Sequence, residues 1–373
     1  MNNLAEAAVK SLRPTYALIN LKNFEHNITL AKKLSGSDII AIVKADAYGH
    51  GVKTTAGHAS RHGVHDFGVA TISEGVILRE SLEDNSARII VLGYVDPNFY
   101  SYAYDNKLQL TLFDSGYADA FHSYLKNTGR SAGVTVKIDT GMGRLGFKPS
   151  LNLYEFAERY PCFKVNHVMS HLASSDDDPE YTSHQEGIFR EFISKYASLN
   201  FNTSLYNSSA IAKYKNLYNY TRPGLFLYGY VNGSANVPLK PVMSIFSKVI
   251  HVHKLAKGES VSYGRRFFAP NDCVIGVVPV GYADGYNRLL TNKGAMYVEN
   301  VRCPVVGTVC MDMTMIDISA IGESAYGKVV EVLGSRINAT EIASSVNTIE
   351  YEVMCGISDR IPRVYDYSDG SIK

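Results

Sequence analysis

The chain has 373 residues, of which 46% are hydrophobic and 20% charged, and its formal net charge is +1. These values predict a globular protein of more than one domain and exclude a disordered chain. Without a strong charge of either sign, nothing indicates nucleic acid or an anionic membrane as a partner. The first sixteen residues lack the apolar core of a signal peptide, and no stretch is long and apolar enough to cross a bilayer.

Cysteine usage gives a prediction about the compartment. The five cysteines are odd in number and lack paired CxxC spacing. This pattern indicates reduced thiols and a cytoplasmic location, and it gives no sign of a structural zinc site. We therefore expect no bound metal.

A strand over residues 13–20 and an amphipathic helix over 21–34 open the chain. Eight β-rich apolar runs then alternate with segments of helical period, which predicts an α/β fold with an N-terminal (β/α)8 TIM-like barrel. The expected strands are 39–45, 67–72, 88–94, 108–113, 134–139, 165–171, 204–207 and 224–228. The expected helices between them include 74–82, 117–126, 151–160, 183–196 and 210–215.

The pattern changes at a loop over residues 231–238, beyond which strand-like runs follow one another with short turns. We therefore predict a barrel domain over 1–236 and a C-terminal mainly-β domain over 237–373, with one helix at 339–346. The isolated first strand, about 14–20, could pair with the second domain. The expected strands are 242–255, 259–263, 273–280, 294–301, 303–309, 313–318 and 328–333.

The first barrel strand ends in a lysine. Ile39–Val43 is a continuous apolar run followed by Lys44, and Tyr48-Gly-His-Gly51 then supplies a turn. Apolar surroundings disfavour the charged ammonium form, so this amine is a candidate nucleophile or base, as in a Schiff-base lysine. The alternative is that Lys44 only caps the strand and reaches solvent, and this stretch alone leaves both open.

Polar groups recur at the ends of the later strands. They are Lys137, Arg144 in the segment Asp139–Arg144, His171, Ser208, and Arg222 with Gly224. Active sites of (β/α)8 enzymes lie at the carboxyl ends of the strands, and convergent cations, hydroxyls and glycines favour an anionic, phosphorylated ligand.

Each of these positions also has a structural explanation. His171 could be a core histidine with satisfied hydrogen bonds, which is the commoner case for a lone histidine in an apolar strand. Gly141 and Gly143 could simply form a tight turn, and Ser208 could be only a helix N-cap.

The second half of the chain carries tyrosine motifs: Val261-Ser-Tyr263-Gly264, Gly281-Tyr282, Cys310-Met311-Asp312 and Tyr351 to Arg363. Tyrosine is more often a core or interface residue than a catalyst. A phenol is a poor base at neutral pH unless a neighbouring cation favours its ionised form.

Together these motifs resemble the alanine racemases, pyridoxal-phosphate enzymes of fold type III, over nearly the whole chain. The resemblance is carried by residues 41–51, 137–146, 222–229, 261–264, 281–285, 310–312 and 351–353. It implies that Lys44 forms the aldimine with pyridoxal 5'-phosphate and that Lys44 and Tyr263 are the two catalytic bases. Tyr263 is implied to come from the partner subunit of a homodimer. Lys44 would serve D-alanine and Tyr263 would serve L-alanine, on opposite faces of the cofactor adduct.

The resemblance also assigns cofactor and substrate contacts. Arg222 would bind the pyridine nitrogen and His171 would support it, while Arg144 and the backbone of Met311 would face the substrate. Lys137 matches a position that is carbamylated in some members. The phosphate would be held by Tyr48, Ser208, Gly224, Leu225 and Tyr351, and the access to the site would be lined by Tyr282, Asp312 and Arg363.

The implied function is interconversion of L- and D-alanine, which supplies D-alanine for peptidoglycan. The nearest alternative is a broader-specificity or serine racemase of the same fold. A decarboxylase of this fold would need an acidic contact to the pyridine nitrogen, where Arg222 stands. A barrel that only carries the cofactor would not need a β domain with a second base.

Overall fold

The computed structural model describes residues 13–233 and 236–368, and the chain divides into two compact units. We call residues 25–47, 52–233 and 236–240 the barrel unit, and residues 13–24, 48–51 and 241–368 the β unit. The last of the four places where the chain passes between the two units is Lys240–Pro241, and the predicted domain bounds of 1–236 and 237–373 stay a prediction. Part of the predicted boundary loop (234–235) and of the N-terminal segment judged to lack a signal peptide (1–12) lies outside the described residues. Among the described helices, none has the length and apolarity needed to cross a membrane.

The first described strand, β1 (Tyr16–Asn20), belongs to the β unit, and the next eight strands close into a parallel barrel. The predicted (β/α)8 fold class is therefore confirmed. Strand β2 pairs with both β3 and β9, which closes the ring. The barrel strands are β2 (Asp38–Ile42), β3 (Asp66–Val69), β4 (Arg88–Val91), β5 (Leu108–Leu112), β6 (Ala132–Lys137), β7 (Phe163–Met169), β8 (Asn202–Ser204) and β9 (Tyr220–Thr221).

The barrel strands are held by burial of their apolar side chains. All five residues of β5 are buried, and Ile89, Ile90 and Val91 of β4 are wholly inaccessible. Complete burial of an aliphatic side chain of this size contributes about 1.5–3 kcal/mol. The helices of this part of the chain are α1 (Leu21–Ser35), α2 (Val52–Arg61), α3 (Ile72–Ser81), α4 (Tyr100–Asp105), α5 (Ser115–Asn127), α6 (Leu153–Arg159), α7 (Pro179–Ser194) and α8 (Ser208–Lys213).

The predicted eighth strand was wrong. Residues Leu225–Tyr228 form a 3-10 helix that ends at Gly229, whose φ is 97°, and the eighth strand is instead Tyr220–Thr221. All four residues of the 3-10 helix are buried and apolar. A short buried run of this kind has the same composition in a strand and in a helix, so the periodicity could not separate the two. The seventh strand also lies earlier than predicted, at Asn202–Ser204.

The β unit contains a six-stranded sheet in which β1 pairs antiparallel with β10 and parallel with β19. A three-stranded sheet has the order β11-β14-β17, and β12 and β13 form a separate pair. The strands are β10 (Met243–Lys248), β11 (His251–Leu255), β12 (Ser260–Val261), β13 (Phe267–Phe268), β14 (Cys273–Val278), β15 (Ala295–Val298), β16 (Val301–Pro304), β17 (Thr314–Asp317), β18 (Val329–Leu333) and β19 (Arg363–Asp366).

The β unit differs from the sequence prediction in several details: β13 and β19 were not predicted, and β16 lies at Val301–Pro304 where a strand over 303–309 was expected. The run 242–255 is two strands, β10 and β11, because Val249 and Ile250 make the break without any typical turn-forming residue. Helix α9 (Ala339–Val346) has the predicted bounds, whereas the six-residue helix α10 (Glu350–Cys355) was not predicted. Such a short helix carries too little periodicity to be detected.

Candidate active site

Lys44 stands at the start of a helical segment with unusual backbone geometry. The segment Lys44–Gly49 follows β2, and four consecutive residues in it, Ala45 to Tyr48, have φ values of 52–54°. A left-handed conformation costs about 1–2 kcal/mol for each residue with a Cβ. The sequence suggested only a flexible turn here. The structure therefore shows a strained backbone directly after the half-buried Lys44, and such strain clusters at functional sites.

Two carboxylates hold this strained segment. Glu74 Oε1 accepts a hydrogen bond from the Ala45 N–H at 2.7 Å, and Asp46 Oδ1 accepts one from the Val52 N–H at 2.7 Å. Glu74 also closes a capping box with Thr71 at the start of α3. Sequence reasoning did not identify Glu74, although the spacing Thr71-x-x-Glu74 is a recognisable capping signal.

Arg222 is the centre of a buried polar network in the barrel unit. Its terminal nitrogens donate to Ser204 Oγ and to the Ser170 carbonyl, to the Leu205 carbonyl at 3.1 Å and to His171 Nδ1 at 3.3 Å. Burial lowers the Arg222 pKa to about 10, so the guanidinium stays charged at neutral pH.

The histidines of this network are neutral. Burial, followed by the charge of Arg222, holds the pKa of His171 well below its ordinary value. His167 is fully buried, contacts Ser204 Oγ at 2.7 Å, and has its pKa lowered in the same direction by burial and then by Arg88. His171 was predicted as a site residue, whereas His167 and Ser204 were not, because their roles depend on cross-strand neighbours.

Lys137 ends β6 and is only 6% exposed. Burial, and then the charges of Arg144 and Arg222, lower its pKa to about 8. A substantial fraction of this amine is therefore neutral at slightly alkaline pH. Carbamylation needs the neutral amine, and the predicted modification of Lys137 stays a prediction.

Ser208 begins α8 but does not cap it. Asn207 is the N-cap, while Ser208 Oγ accepts hydrogen bonds from the Gly224 N–H at 3.0 Å and the Phe226 N–H at 3.2 Å. The alternative that Ser208 is only an N-cap is therefore wrong. This hydroxyl joins the start of α8 to the turn that carries Gly224 and Leu225, where backbone N–H groups converge as in anion sites.

The glycine loop after β6 is folded around a carboxylate. Asp139 Oδ1 accepts hydrogen bonds from the Gly141 N–H at 3.1 Å and the Gly143 N–H at 3.0 Å. The two glycines have φ values of 131° and 69°, so the tight-turn interpretation holds for them. The turn leads directly to the exposed Arg144.

In the β unit, Tyr48 packs against Tyr351. Their ring centroids are 5.7 Å apart, and Tyr48 is buried. Gly49 allows this approach, since a Cβ there would lie 2.4 Å from the Met354 carbonyl oxygen. The Tyr48–Gly51 segment therefore contacts α10 through backbone, and two predicted phosphate ligands lie side by side.

Tyr263 projects into solvent from the β unit with 73% of its surface exposed. It starts a 3-10 turn after β12, and its carbonyl accepts a 2.6 Å hydrogen bond from Thr308 Oγ1. Ser262, directly before it, has a φ of 70° and donates to the Thr308 carbonyl at 2.6 Å. These two hydrogen bonds with Thr308 fix the backbone from which the exposed Tyr263 side chain projects.

The segment that carries Tyr282 contacts the segment that carries Met311 and Asp312, within the β unit. The Tyr282 N–H donates to the Cys310 carbonyl at 3.0 Å, and Asp312 accepts from Arg360 at 2.7 Å. Tyr282, Met311 and Asp312 are all exposed. A Cβ on Gly281 would lie 2.4 Å from the Met311 carbonyl, so only glycine permits the two segments to meet.

Arg363 acts on the backbone around it. It donates to the carbonyls of Ile357, Ser358 and Ile361 at 2.7 Å and to the carbonyl of Gly49 at 3.0 Å. Through these four hydrogen bonds, the Arg363 guanidinium holds the loop before β19 in place. Its predicted place at the access to the site stays a prediction.

The donor set in the barrel unit fits pyridoxal phosphate. No hydrogen bond from Arg222 Nε to any described residue is present, although the other guanidinium nitrogens are engaged. This leaves a charged donor for an unprotonated ring nitrogen. Lys44 would supply an amine, and the turn at Gly224 and Leu225, which Ser208 Oγ already contacts, would supply donors for an anion.

The fold and these side chains define an enzyme of the pyridoxal-phosphate class, built from a (β/α)8 barrel and a β unit. The alanine racemase N-terminal domain family matches residues 19–232, and the alanine racemase C-terminal domain family matches residues 242–365. The chain belongs to the alanine racemase family, and the predicted resemblance is confirmed.

Individual relatives match nearly the whole chain. The alanine racemase of Clostridium novyi is 37% identical, covering 95% of this chain and 96% of that protein. The structure of alanine racemase from Clostridium difficile 630 has a TM-score of 0.89 at 31% identity and covers 95% of this chain and 96% of that one. The Bartonella henselae alanine racemase, solved with covalently bound pyridoxal phosphate, has a TM-score of 0.86 at 25% identity, covering 95% and 99% of the two chains.

Proposed function

We propose that this protein is an alanine racemase that interconverts L-alanine and D-alanine with pyridoxal 5'-phosphate covalently bound to Lys44. The observation that carries the proposal is that Lys44, at the start of the segment after the first barrel strand, and the buried, charged Arg222 lie in the same unit, where the charges of both act on His171. The strain in residues 45–48, held by Glu74, indicates that the position of this lysine is closely controlled.

The cofactor, when bound, supplies an electron sink for the pair of electrons left by the α-proton. Arg222 Nε would donate to the ring nitrogen. Because a guanidinium does not give up its proton at neutral pH, Arg222 would leave the ring nitrogen unprotonated and the electron sink weak. This contact would thereby limit transamination and other side reactions.

The phosphate would be held by Ser208 and by the backbone N–H groups of Gly224 and Leu225. Tyr48 and Tyr351 as further phosphate ligands stay a prediction, supported by their packing against each other. Arg144 would orient the substrate carboxylate, and a carbamylated Lys137 would in turn orient Arg144. The lowered pKa of Lys137 supports this modification.

Racemisation needs one base on each face of the reacting carbon, because a single base returns the proton to the face it came from. Lys44 would take the α-proton of D-alanine, and Tyr263 of the partner subunit would take that of L-alanine. The 73% exposure of Tyr263 on a fixed turn supports a role in a homodimer. In this account the barrel domain binds the cofactor and the β domain supplies the second base.

A narrow site favours a small side chain. Tyr282, Asp312 and Arg363 would line the access, and the backbone of Met311 would contact the substrate. A broader-specificity or serine racemase is the second candidate, since serine is larger than alanine by a single hydroxyl. We place the enzyme in the cytoplasm on the cysteine pattern of the sequence, where it would supply D-alanine for peptidoglycan.

The experiment mixes purified protein with pyridoxal phosphate and L-alanine and follows circular dichroism. We expect the signal to decay to zero with the unmodified protein and not with Lys44→Ala or Tyr263→Phe. Lys53→Ala and Tyr326→Phe are matched controls, since both residues are exposed. A signal that decays with serine but not with alanine would favour the second candidate, and decay in either catalytic variant at the normal rate would contradict the two-base proposal.

A further inference from the structure

Two histidines and a glutamate, none of which is assigned to the active site, converge in the barrel unit. Glu25 lies on α1, His58 lies on α2, and His62 directly follows α2. Oε2 of Glu25 is 3.6 Å from Nε2 of His58 and 3.4 Å from Nε2 of His62. One ligand atom from each residue lies within 4.8 Å of the others.

The spacing of the two histidines places both rings on one side of the helix. Residues i and i+4 are neighbours on a helical surface. His-x-x-x-His is also a spacing found in zinc sites, where both rings bind one ion. His58 is buried, whereas the side chains of His62 and Glu25 are 35% and 29% exposed, so water can reach the cluster from one side.

The tautomer of His62 is fixed by its other nitrogen. Nδ1 of His62 lies 2.8 Å from the carbonyl oxygen of His58. A carbonyl oxygen only accepts, so Nδ1 carries the proton and the neutral ring has its lone pair on Nε2. That lone pair is on the nitrogen nearest Glu25. This is the arrangement in which a metal-binding histidine is oriented by a backbone carbonyl.

Binding of one cation would avoid the repulsion that protonation of both histidine rings would cause. The two imidazole centroids are 4.2 Å apart, so charging both rings by protonation would put two like charges in contact. A single divalent ion satisfies both ring nitrogens and the carboxylate oxygen together. Ligand atoms around tetrahedral zinc, at about 2.0–2.2 Å from the ion, lie roughly 3.3 Å apart, which is near the two distances observed here.

We propose that Glu25, His58 and His62 bind a divalent transition-metal ion of the zinc type, with water as a fourth ligand. Two imidazoles and one carboxylate suit zinc and its neighbours better than magnesium or calcium, which take oxygen ligands. The ion would join α1 to α2, which lie before and after the first barrel strand, β2. The expectation of no bound metal rested on cysteine spacing alone.

The test uses tag-free holoenzyme treated with a chelator and then dialysed, so that pyridoxal phosphate remains bound. Zn²⁺ is titrated by calorimetry near neutral pH. We expect one ion per chain and a higher melting temperature in its presence. His62→Ala and Glu25→Gln should each weaken binding at least about tenfold, whereas His65→Ala, which changes an exposed histidine outside the cluster, should bind as before.

Two outcomes would overturn the proposal. One is unmodified protein that binds no Zn²⁺, and the other is His62→Ala and Glu25→Gln that both retain one ion with unchanged affinity. Anomalous diffraction from Zn²⁺-soaked crystals locates the ion independently of any variant. A peak between the three side chains supports the proposal, and peaks only elsewhere contradict it.

Discussion

Arg222 donates a hydrogen bond to Nδ1 of His171 across 3.3 Å. Because a guanidinium only donates, Nδ1 must be the acceptor, and the proton of the neutral ring lies on Nε2. Burial lowers the Arg222 pKa to about 10 and, with the charge of Arg222, keeps that of His171 well below its ordinary value. The pair therefore carries one fixed positive charge across the neutral range.

Replacing Arg222 by glutamate tests this charge. Arg222→Glu would favour a protonated ring nitrogen and so a stronger electron sink. Loss of one charge-assisted hydrogen bond corresponds to about 1.5–3 kcal/mol, and we expect the ratio of transamination to racemisation to rise roughly 10- to 100-fold. The ratio is measured from the absorbance of the pyridoxamine form against the racemisation rate. Arg222→Lys, which keeps a cation, is the control, and an unchanged ratio in the glutamate variant contradicts the account.

Glu74→Gln tests the support of the strained segment after Lys44. An amide keeps only one accepting oxygen and loses the charge, so at least one of the bonds to Ala45 and Ala70 is lost. We expect the free energy of unfolding to fall by about 1–2 kcal/mol and kcat to fall about tenfold. Chemical denaturation and initial rates give the two values. Glu80→Gln, at an exposed position on the same helix, should leave the free energy of unfolding and kcat unchanged. If Glu74→Gln behaved like Glu80→Gln, Glu74 would have no part in positioning Lys44.

Lys137 makes stability depend on pH. Its pKa of about 8 lies below the ordinary 10.5. Below pH 8 the Lys137 amine is charged in both the folded and the unfolded chain. Burial of this charge lowers the free energy of unfolding by about 3 kcal/mol at most. Between pH 8 and 10.5 the folded chain has lost the proton that the unfolded chain still holds, so this cost shrinks as the pH rises and vanishes above 10.5.

Lys137→Met should therefore be more stable than the unmodified protein by about 1–3 kcal/mol at pH 7, and this gain should shrink towards pH 10. Denaturant unfolding in CO2-free buffer measures it, since carbamylation would remove the charge. Lys148→Met, at an exposed position, should show no such trend. A gain that grows with pH would contradict the sign of the argument.

A mixture of two inactive variants tests the shared site. In a heterodimer of Lys44→Ala and Tyr263→Phe, one site combines both defects and the other has neither. Random assortment then restores about a quarter of the normal number of sites. Differently tagged subunits allow the heterodimer to be purified and assayed. If Lys44 and Tyr263 acted within one chain, both sites would carry a defect and the heterodimer would stay inactive.

The sequence predicted the barrel because its strands are continuous apolar runs that need burial on both faces. Lys44, Lys137 and Arg222 were predicted as site residues because polar groups at strand ends face one end of such a barrel. The eighth strand was misplaced because Leu225–Tyr228 is a buried apolar run whose 3-10 conformation depends on the turn at Gly224. Helix α9 lies where it was predicted, and in the structure Asn338 caps it.

Other features depend on contacts between residues far apart in the chain. None of the left-handed residues 45–48 is a glycine, so the sequence gives no sign of their positive φ values. Glu74 stabilises them from the following helix. Ser204 and His167 join Arg222 across neighbouring strands. The cluster of Glu25 with His58 and His62 likewise needs two helices to meet. A single sequence gives the period of each element but not which side chains face each other across elements.

The most direct test of the two-base account follows the α-proton of D-alanine in D2O by NMR with Tyr263→Phe. We predict that D-alanine exchanges this proton for deuterium through Lys44 and keeps its handedness, while L-alanine neither exchanges nor racemises. Exchange of L-alanine, or racemisation at the normal rate, would show that the two faces of the substrate are not divided between Lys44 and Tyr263.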